Sequence, residues 1–447
     1  MKVRFLWRAL LVSLVLWLGS AAAAAAADGP AITLGHATVP LNGPWSFALG
    51  DDPRWARPDF DDSRWERVDL TPAPGAHDGD VGITRYVPGW NDRGHRGYFG
   101  YAWYRLRVTV SGPPGEALAL AGPTAVDSAF LLYVDGRRLG GSADVTGAKP
   151  VAYSVQPRAF DLGTLPASGT RTLTLALRVW LGSPGSKSPG VGGLHVAPVL
   201  GDREGIDAVV QGQWLQTFNG YVVDAVEPAL LLVLALMLIP LIAAAPRDPG
   251  PAWLAAALVV LALLRLQQIL LFWTQWEGQR VYDVIRNVIL APLTLGAWIL
   301  AWRSWFAGDR SRRFPVVVAL TALYAVAQLL GRSWWPPAQA LGSVAIAHTA
   351  ATWIRLALLV AYLWALAPGI SRMRTFAGVL AILAAVLAGV GFFAEELSNL
   401  HIKGIWFPWG VGVSRTQYAY AALIVVLFIL ILTEVRRRAG AAGSKRA

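Results

Sequence analysis

Val222-Val-Asp-Ala-Val-Glu-Pro-Ala-Leu-Leu-Leu-Val-Leu-Ala-Leu-Met-Leu-Ile-Pro-Leu-Ile-Ala-Ala-Ala245 is the stretch at which this chain changes solvent. Before it, short apolar runs are broken by charges. After it, apolar runs approach the roughly 20 residues that carry an α-helix across the hydrocarbon core of a bilayer. Six more runs of this kind follow, over residues 252–273, 281–302, 314–330, 343–366, 376–394 and 416–433. The expectation is an α-helical bundle of seven transmembrane spans over residues 222–433, ending in a short basic tail, 434–447.

Charge orients these spans. Only 15% of the chain is charged, against about 25% in a soluble domain, so the few cations are informative. With the N-terminal part outside, the inner loops and tail hold Arg247, Arg303, Arg310, Arg312, Arg313, Arg372, Arg374, Arg436, Arg437, Arg438, Lys445 and Arg446. The outer loops hold Arg280, Arg332, Lys403 and Arg415. Twelve cations against four place the N-terminal part outside and the tail in the cytoplasm, which an odd number of spans requires. The net charge of +11 thus reports membrane orientation, and no nucleic-acid partner is expected. Many tryptophans, among them Trp273, Trp276, Trp302, Trp305, Trp334, Trp335, Trp406 and Trp409, fall at span ends, as interfacial belts do.

Upstream, residues 28–205 read as an all-β domain, followed by a linker over 206–221. Arg171-Thr-Leu-Thr-Leu-Ala-Leu-Arg-Val-Trp180 places Leu173, Leu175, Leu177 and Val179 on one face. The later half of Tyr101-Ala-Trp-Tyr-Arg-Leu-Arg-Val-Thr-Val110 alternates likewise. Period two with one polar face is the pattern of strands in a two-sheet sandwich. Asp135-Gly136 sits between two such runs as a hairpin turn. At the N-terminus, Lys2, Arg4 and Arg8 precede an apolar run and the alanines of residues 21–27. That is the layout of a cleavable signal peptide over residues 1–27; an uncleaved first span is the alternative. The chain has no cysteine, which rules out disulfides and thiolate chemistry.

A resemblance enters here. Leu41-Asn-Gly-Pro-Trp-Ser-Phe47, Gly50-Asp-Asp-Pro-Arg-Trp-Ala56, Phe60-Asp-Asp-Ser-Arg-Trp65, Gly100-Tyr-Ala-Trp-Tyr-Arg105 and Tyr133-Val-Asp-Gly-Arg-Arg-Leu-Gly140 resemble the galactose-binding-like jelly roll. This module opens the sugar-binding domain of beta-galactosidase-type glycoside hydrolases. A similar module heads bacterial seven-transmembrane receptors with diverse intracellular signalling modules, and this chain resembles them in both halves. The resemblance implies a periplasmic jelly roll, a sensory bundle in the inner membrane, and core positions for Trp45, Trp65, Trp103 and Tyr104. It departs from those receptors in that only about 14 residues follow the last span, so no output domain is expected there.

Two groups of residues are candidates for binding. In the outer domain the loop of residues 75–100 carries His77, Asp78, Trp90, Asn91, Asp92 and His95, and long loops on rigid sandwiches often bind ligands; a plain solvated loop is the alternative. In the bundle, polar residues cluster toward the outer leaflet: Arg265, Gln268, Asp283, Arg286, Asn287, Gln328, His348, Arg355, Glu395 and Glu396. Charged groups inside a membrane default to functional or paired roles. With Asp283, Glu395 and Glu396 as the available anions, one of the deep arginines, Arg265 or Arg355, is expected to lack a partner and to line a polar cavity open to the outside. An internal salt-bridge network is the other reading. The acidic turns Asp51-Asp52 and Asp59–Asp62 allow calcium or simple Asx turns.

No catalytic motif, phosphate loop or metal spacing is recognisable, and no barrel domain follows the jelly roll. No enzymatic activity, cofactor or metal is therefore expected. The functional expectation is a receptor-like protein that binds a carbohydrate or small anion outside and signals through a separate cytoplasmic protein, with the oligomeric state left open and a homodimer allowed. A transporter or envelope-structural protein that docks through its jelly roll is the alternative.

Overall fold

The computed structural model describes residues 38–78, 83–146, 150–182, 190–308, 314–402, 404–406 and 413–443. The expected signal peptide, residues 1–27, lies outside them, as do residues 444–447 of the expected tail.

Two twelve-residue strands, Gly100–Ser111 and Thr170–Leu181, pair antiparallel along their whole length. They are the centre of a six-stranded sheet. Trp45–Leu49 and Glu66–Val68 extend it on one side, and the hairpin Ala129–Val134 and Arg137–Gly141 on the other. The hairpin turns on Asp135 and Gly136, both left-handed, as a two-residue turn demands. Leu173, Leu175, Leu177 and Val179 are fully buried and face a second, four-stranded sheet. Its order is Thr38–Pro40, Val199–Asp202, Ala117–Ala121, Ala159–Thr164. Leu118, Leu120, Phe160 and Leu200 from this sheet close the common core. The β-sandwich read from period-two patterning is thus present.

The motif residues are its anchors. Trp45, Trp103 and Tyr104 are buried, and Trp65 packs beside Trp103 on the outer face of the large sheet. Asp51 takes a two-pronged bond from Arg178 and one from the Trp103 indole. Asp52 caps the short turn Pro53–Ala56, Asp61 accepts from the Ser63 amide, and Asp62 pairs with Arg105. The acidic turns therefore serve Asx geometry and arginine pairing. Among the described residues no group of three or more His, Asp or Glu side chains gathers as a metal site.

Along the strand Ala117–Ala121, Leu118 and Leu120 face the core while Ala119 and Ala121 face outward. These small side chains let a helix close over them. Ile206, Val209 and Val210 fill that space. They belong to the helix Arg203–Met237, which Asp202 caps by accepting from the Gly205 amide at 2.8 Å. Residues 206–221, expected to be a linker, are thus helical: the last strand passes straight into the first long helix. The last helix, Arg415–Gly443, likewise runs on through residues 434–443, expected to be a separate tail.

Helices occupy all seven expected stretches. Five are long and apolar enough to cross a membrane: Arg203–Ala244, Pro249–Trp273, Gln279–Ala307, Val344–Arg374 and Arg415–Arg438. Phe314–Leu330 and Phe376–Phe392 are apolar but have 17 residues each. At about 1.5 Å per residue they fall short of the roughly 30 Å core when untilted. The third helix carries a π-helical segment, Val284–Leu290. Small residues allow close helix approach, as in membrane bundles: Gly391 lies against the Tyr420 ring, where a Cβ would meet ring carbon at 2.2 Å.

Candidate functional site

The buried charges of the bundle sort into two networks. In the first, Arg265 of the second helix meets Asp224 and Glu227 of the first. Its Nε donates to Glu227 at 2.8 Å, and its Nη2 lies against Asp224. All three side chains are nearly inaccessible, at 6%, 2% and 3% exposure. Gln417 of the seventh helix donates to Asp224 Oδ2 (2.9 Å) and to the Gly220 carbonyl (3.1 Å). The Tyr420 ring lies 5.4 Å from the guanidinium carbon. Three helices are joined here by one cation and two carboxylates. The expectation that Arg265 lacks a partner and lines an open cavity is corrected. Asp224 and Glu227 stand three residues apart, on one helical face, within the apolar run of the first helix.

The second network is a chain of side-chain contacts. Arg355 pairs with Glu396, donates to the Phe392 carbonyl at 2.8 Å and reaches the Tyr324 hydroxyl at 3.3 Å. Gln328 donates to the same hydroxyl at 2.8 Å. Arg332 donates to Gln328 Oε1 at 2.9 Å and pairs with Asp283 at 2.8 Å. Asp283 also accepts from Asn287 (2.7 Å) and from the Trp334 indole (2.8 Å). Arg355 is therefore partnered as well. Arg286 stands apart, bonded to Gln268 at 3.0 Å. Glu395 borders a shallow cavity beside Arg415. Arg286 and Asn287 lie on the π-helical segment, a geometry frequent at functional sites.

The chain begins in the wall of a cavity of about 850 Å³ between the sandwich and the helix ends. Ser128, Trp180 and Gly182 come from the sandwich; Asp283 and His348 come from helices and Arg332 from the loop after Leu330. Beside it, Gln279 donates to the Ser128 carbonyl at 3.0 Å, and Gly278 lies against Val151. Trp180, Gln279, Arg332 and Trp334 were not singled out from sequence. Arg332 and Trp334 carry the ordinary signals of a loop cation and an interfacial tryptophan, and only the fold brings them to one wall.

The outer-loop residues are engaged by the fold and do not converge. Trp90 is fully buried in the sandwich core and Asn91 is buried beside it, accepting from the Gly97 amide. Their expected ligand role is corrected to an interior one. His77 and Asp78 make local bonds that shape the loop. Asp92 accepts from the Gly190 amide, and His95 pairs with Glu66 at 2.8 Å.

No protein-family model matches the sequence, and no curated protein matches it. Solved structures similar to part of the chain include β-glucuronidases. The enzyme of Bacteroides uniformis is 19% identical over 37% of this chain and 18% of its own, with a TM-score of 0.27. That of Faecalibacterium prausnitzii is 15% identical over 39% of this chain and 33% of its own, with a TM-score of 0.26. That of Ruminococcus gnavus is 11% identical over 39% and 31%, with a TM-score of 0.25. The chain thus spans a third or less of each. The sequence reading set enzymatic activity aside, and this is corrected: the solved structures that part of this chain resembles are enzymes.

Proposed function

We propose that this chain is a membrane receptor-like protein that takes its ligand in the cavity between sandwich and helices and signals to a separate cytoplasmic protein. In this reading the sandwich is periplasmic, and the chain crosses the bacterial inner membrane seven times. Three features support the topology: helices over all seven stretches, the twelve-to-four asymmetry of cations, and successive helix ends that alternate between the two ends of the bundle. Asp283, Arg332 and His348 lie at the sandwich cavity. Asp248, Trp305, Arg372 and Arg438 meet at a second cavity.

The observation that carries the proposal is the cavity of about 850 Å³ with walls from both halves. A ligand there touches the outer domain and the bundle together, and it shifts any arrangement of the two that it binds with unequal affinity. The chain from Asp283 through Arg332, Gln328, Tyr324 and Arg355 to Glu396 leads from that wall to the outer end of the sixth helix. Indole faces at Trp180 and Trp334, with the cations Arg280 and Arg332, suit a small carbohydrate or a small organic anion.

Thermal unfolding of the purified full chain against a panel of monosaccharides, sugar acids and small carboxylates tests this. A ligand at a hundredfold excess over its Kd adds about 2.7 kcal/mol of stability. The expected result is one compound class whose stabilisation is lost in Trp180→Ala and in the mild rim variant His348→Gln. Stabilisation by none of the panel, or stabilisation that both variants retain, overturns the proposal.

A further inference from the structure

The end of the bundle away from the sandwich holds a cavity of about 650 Å³. Four arginines reach its wall, Arg372, Arg374, Arg437 and Arg438, against two acids, Asp248 and Glu434. The acids are taken: Arg438 bonds Asp248 at 2.8 Å and Glu434 at 3.4 Å, and Arg437 bonds Glu434 at 2.5 Å. Arg372 donates one nitrogen to the Trp305 carbonyl at 3.2 Å. Among the described residues neither Arg372 nor Arg374 has a carboxylate within ion-pair distance. Two cationic groups therefore face a cavity whose own acids are already neutralised. The 17-residue helix Phe376–Phe392 also starts in this wall, and its N-terminal dipole adds to the positive potential.

The rim is apolar. Ile370, Met373 and Phe376 flank the two arginines in sequence and are exposed. A soluble anion has no use for exposed apolar side chains beside its cations, whereas a lipid lays its acyl chains along them. We propose that this cavity binds the phosphate of an anionic phospholipid headgroup through Arg372 and Arg374. The site couples the sixth and seventh helices to the lipid of one leaflet. It rests on the membrane placement proposed above and is independent of the ligand in the outer cavity.

The test uses the full chain in detergent, titrated with phosphatidylglycerol, phosphatidylcholine, or inorganic phosphate, and read by native mass spectrometry and thermal shift. Phosphatidylglycerol is expected to bind and stabilise at concentrations where the other two do not. Arg372→Gln with Arg374→Gln should weaken that binding about thirtyfold, at roughly one surface cation's contribution each. Arg436→Gln removes an exposed cation of the same end outside the cavity and should weaken binding by at most about the fivefold of one surface cation, well short of the double variant. His348→Gln, at the outer cavity, should leave it unchanged, which separates this site from the receptor proposal. Equal binding of the two lipids, or a double variant that keeps the preference while folded, overturns the site. An equal response to inorganic phosphate identifies a free-phosphate site and overturns the lipid assignment.

Discussion

Arg105 in the sandwich and Arg265 in the bundle are both buried arginines, and the chain satisfies them in opposite ways. Arg105 is 2% exposed. It donates to the carbonyls of Trp55 and Arg57 and to Asp62, which is 30% exposed. Its partners are mostly backbone groups of an irregular segment crossing the outer face of the large sheet. Arg265 meets two carboxylates as buried as itself. The difference follows from where free carbonyls exist. A loop leaves its carbonyls available, whereas a helix has bonded all but its last four. A mid-bundle arginine must therefore find side-chain anions. Two exceptions obey the same rule: Arg355 reaches the Phe392 carbonyl at a helix C-terminus and Arg415 the Ile402 carbonyl in a loop.

The sharpest way to break this comparison is Arg265→Met. It leaves Asp224 and Glu227 buried without their cation, so a loss of about 3–5 kcal/mol is expected. Thermal or denaturant unfolding in detergent measures it. Adding Asp224→Asn and Glu227→Gln to the same chain should restore most of that loss, because no uncompensated charge remains. A single variant within 1 kcal/mol of wild type would show that the triad is hydrated and the contrast false.

Arg105→Met is expected to cost less, about 2 kcal/mol. The carbonyls it abandons lie in a segment near the surface, where water replaces the guanidinium. Hydrogen exchange should report the loss in residues 53–65 and leave the bundle amides unchanged. Protection lost across the bundle as well would mean that the two halves unfold as one unit.

The sandwich was legible because a strand writes its burial into alternate residues. Leu173 to Val179 name the inner face, and Asp135-Gly136 can hardly be anything but a turn. The positions of the helices were legible for an equally simple reason, the length of apolar runs. What the runs concealed was polarity inside them. Asp224 and Glu227 sit near the start of the first apolar run, where flanking valines and leucines swamp two acids, and Arg265 reads as unpaired as a result. Residues 206–221 read as a linker because Gln211, Gln213, Gln216 and Asn219 dilute the apolar signal. Their helical character is fixed at the N-terminus by packing of Ile206 on Ala119 and Ala121, a contact no local pattern displays. Trp90 could not be told from a ligand-binding aromatic, since an indole in a glycine-rich loop looks the same whether it folds inward or outward. The junction cavity was out of reach: its wall joins Ser128, Trp180 and Arg332, residues far apart in sequence, through tertiary packing alone.

The smallest expected effect tests the sandwich at Asp127, beside the cavity residue Ser128. Burial pushes this carboxyl up, but a 3.1 Å contact with the His195 imidazole, its charge and the Gly192 amide outweigh that, holding it below the ordinary value of 3.8. His195 is itself locked, with Nδ1 donating to the Val87 carbonyl at 2.9 Å and its ring stacked on Tyr86 at 4.6 Å. A carboxyl depressed in the folded state contributes stability that is fully present above 3.8 and is lost as pH falls through the folded value. Unfolding midpoints of the full chain should therefore drop as pH falls below about 4, and Asp127→Asn should show a shallower drop over the same window. The Asp127 side chain is 40% exposed, so solvent screens the pair and the difference should stay below about 1 kcal/mol. Near pH 7 the variant should be less stable than wild type, and the gap should narrow as pH falls below 3.8. Parallel acid curves for the two proteins would place the acid sensitivity elsewhere and leave the His195 contact without weight in stability.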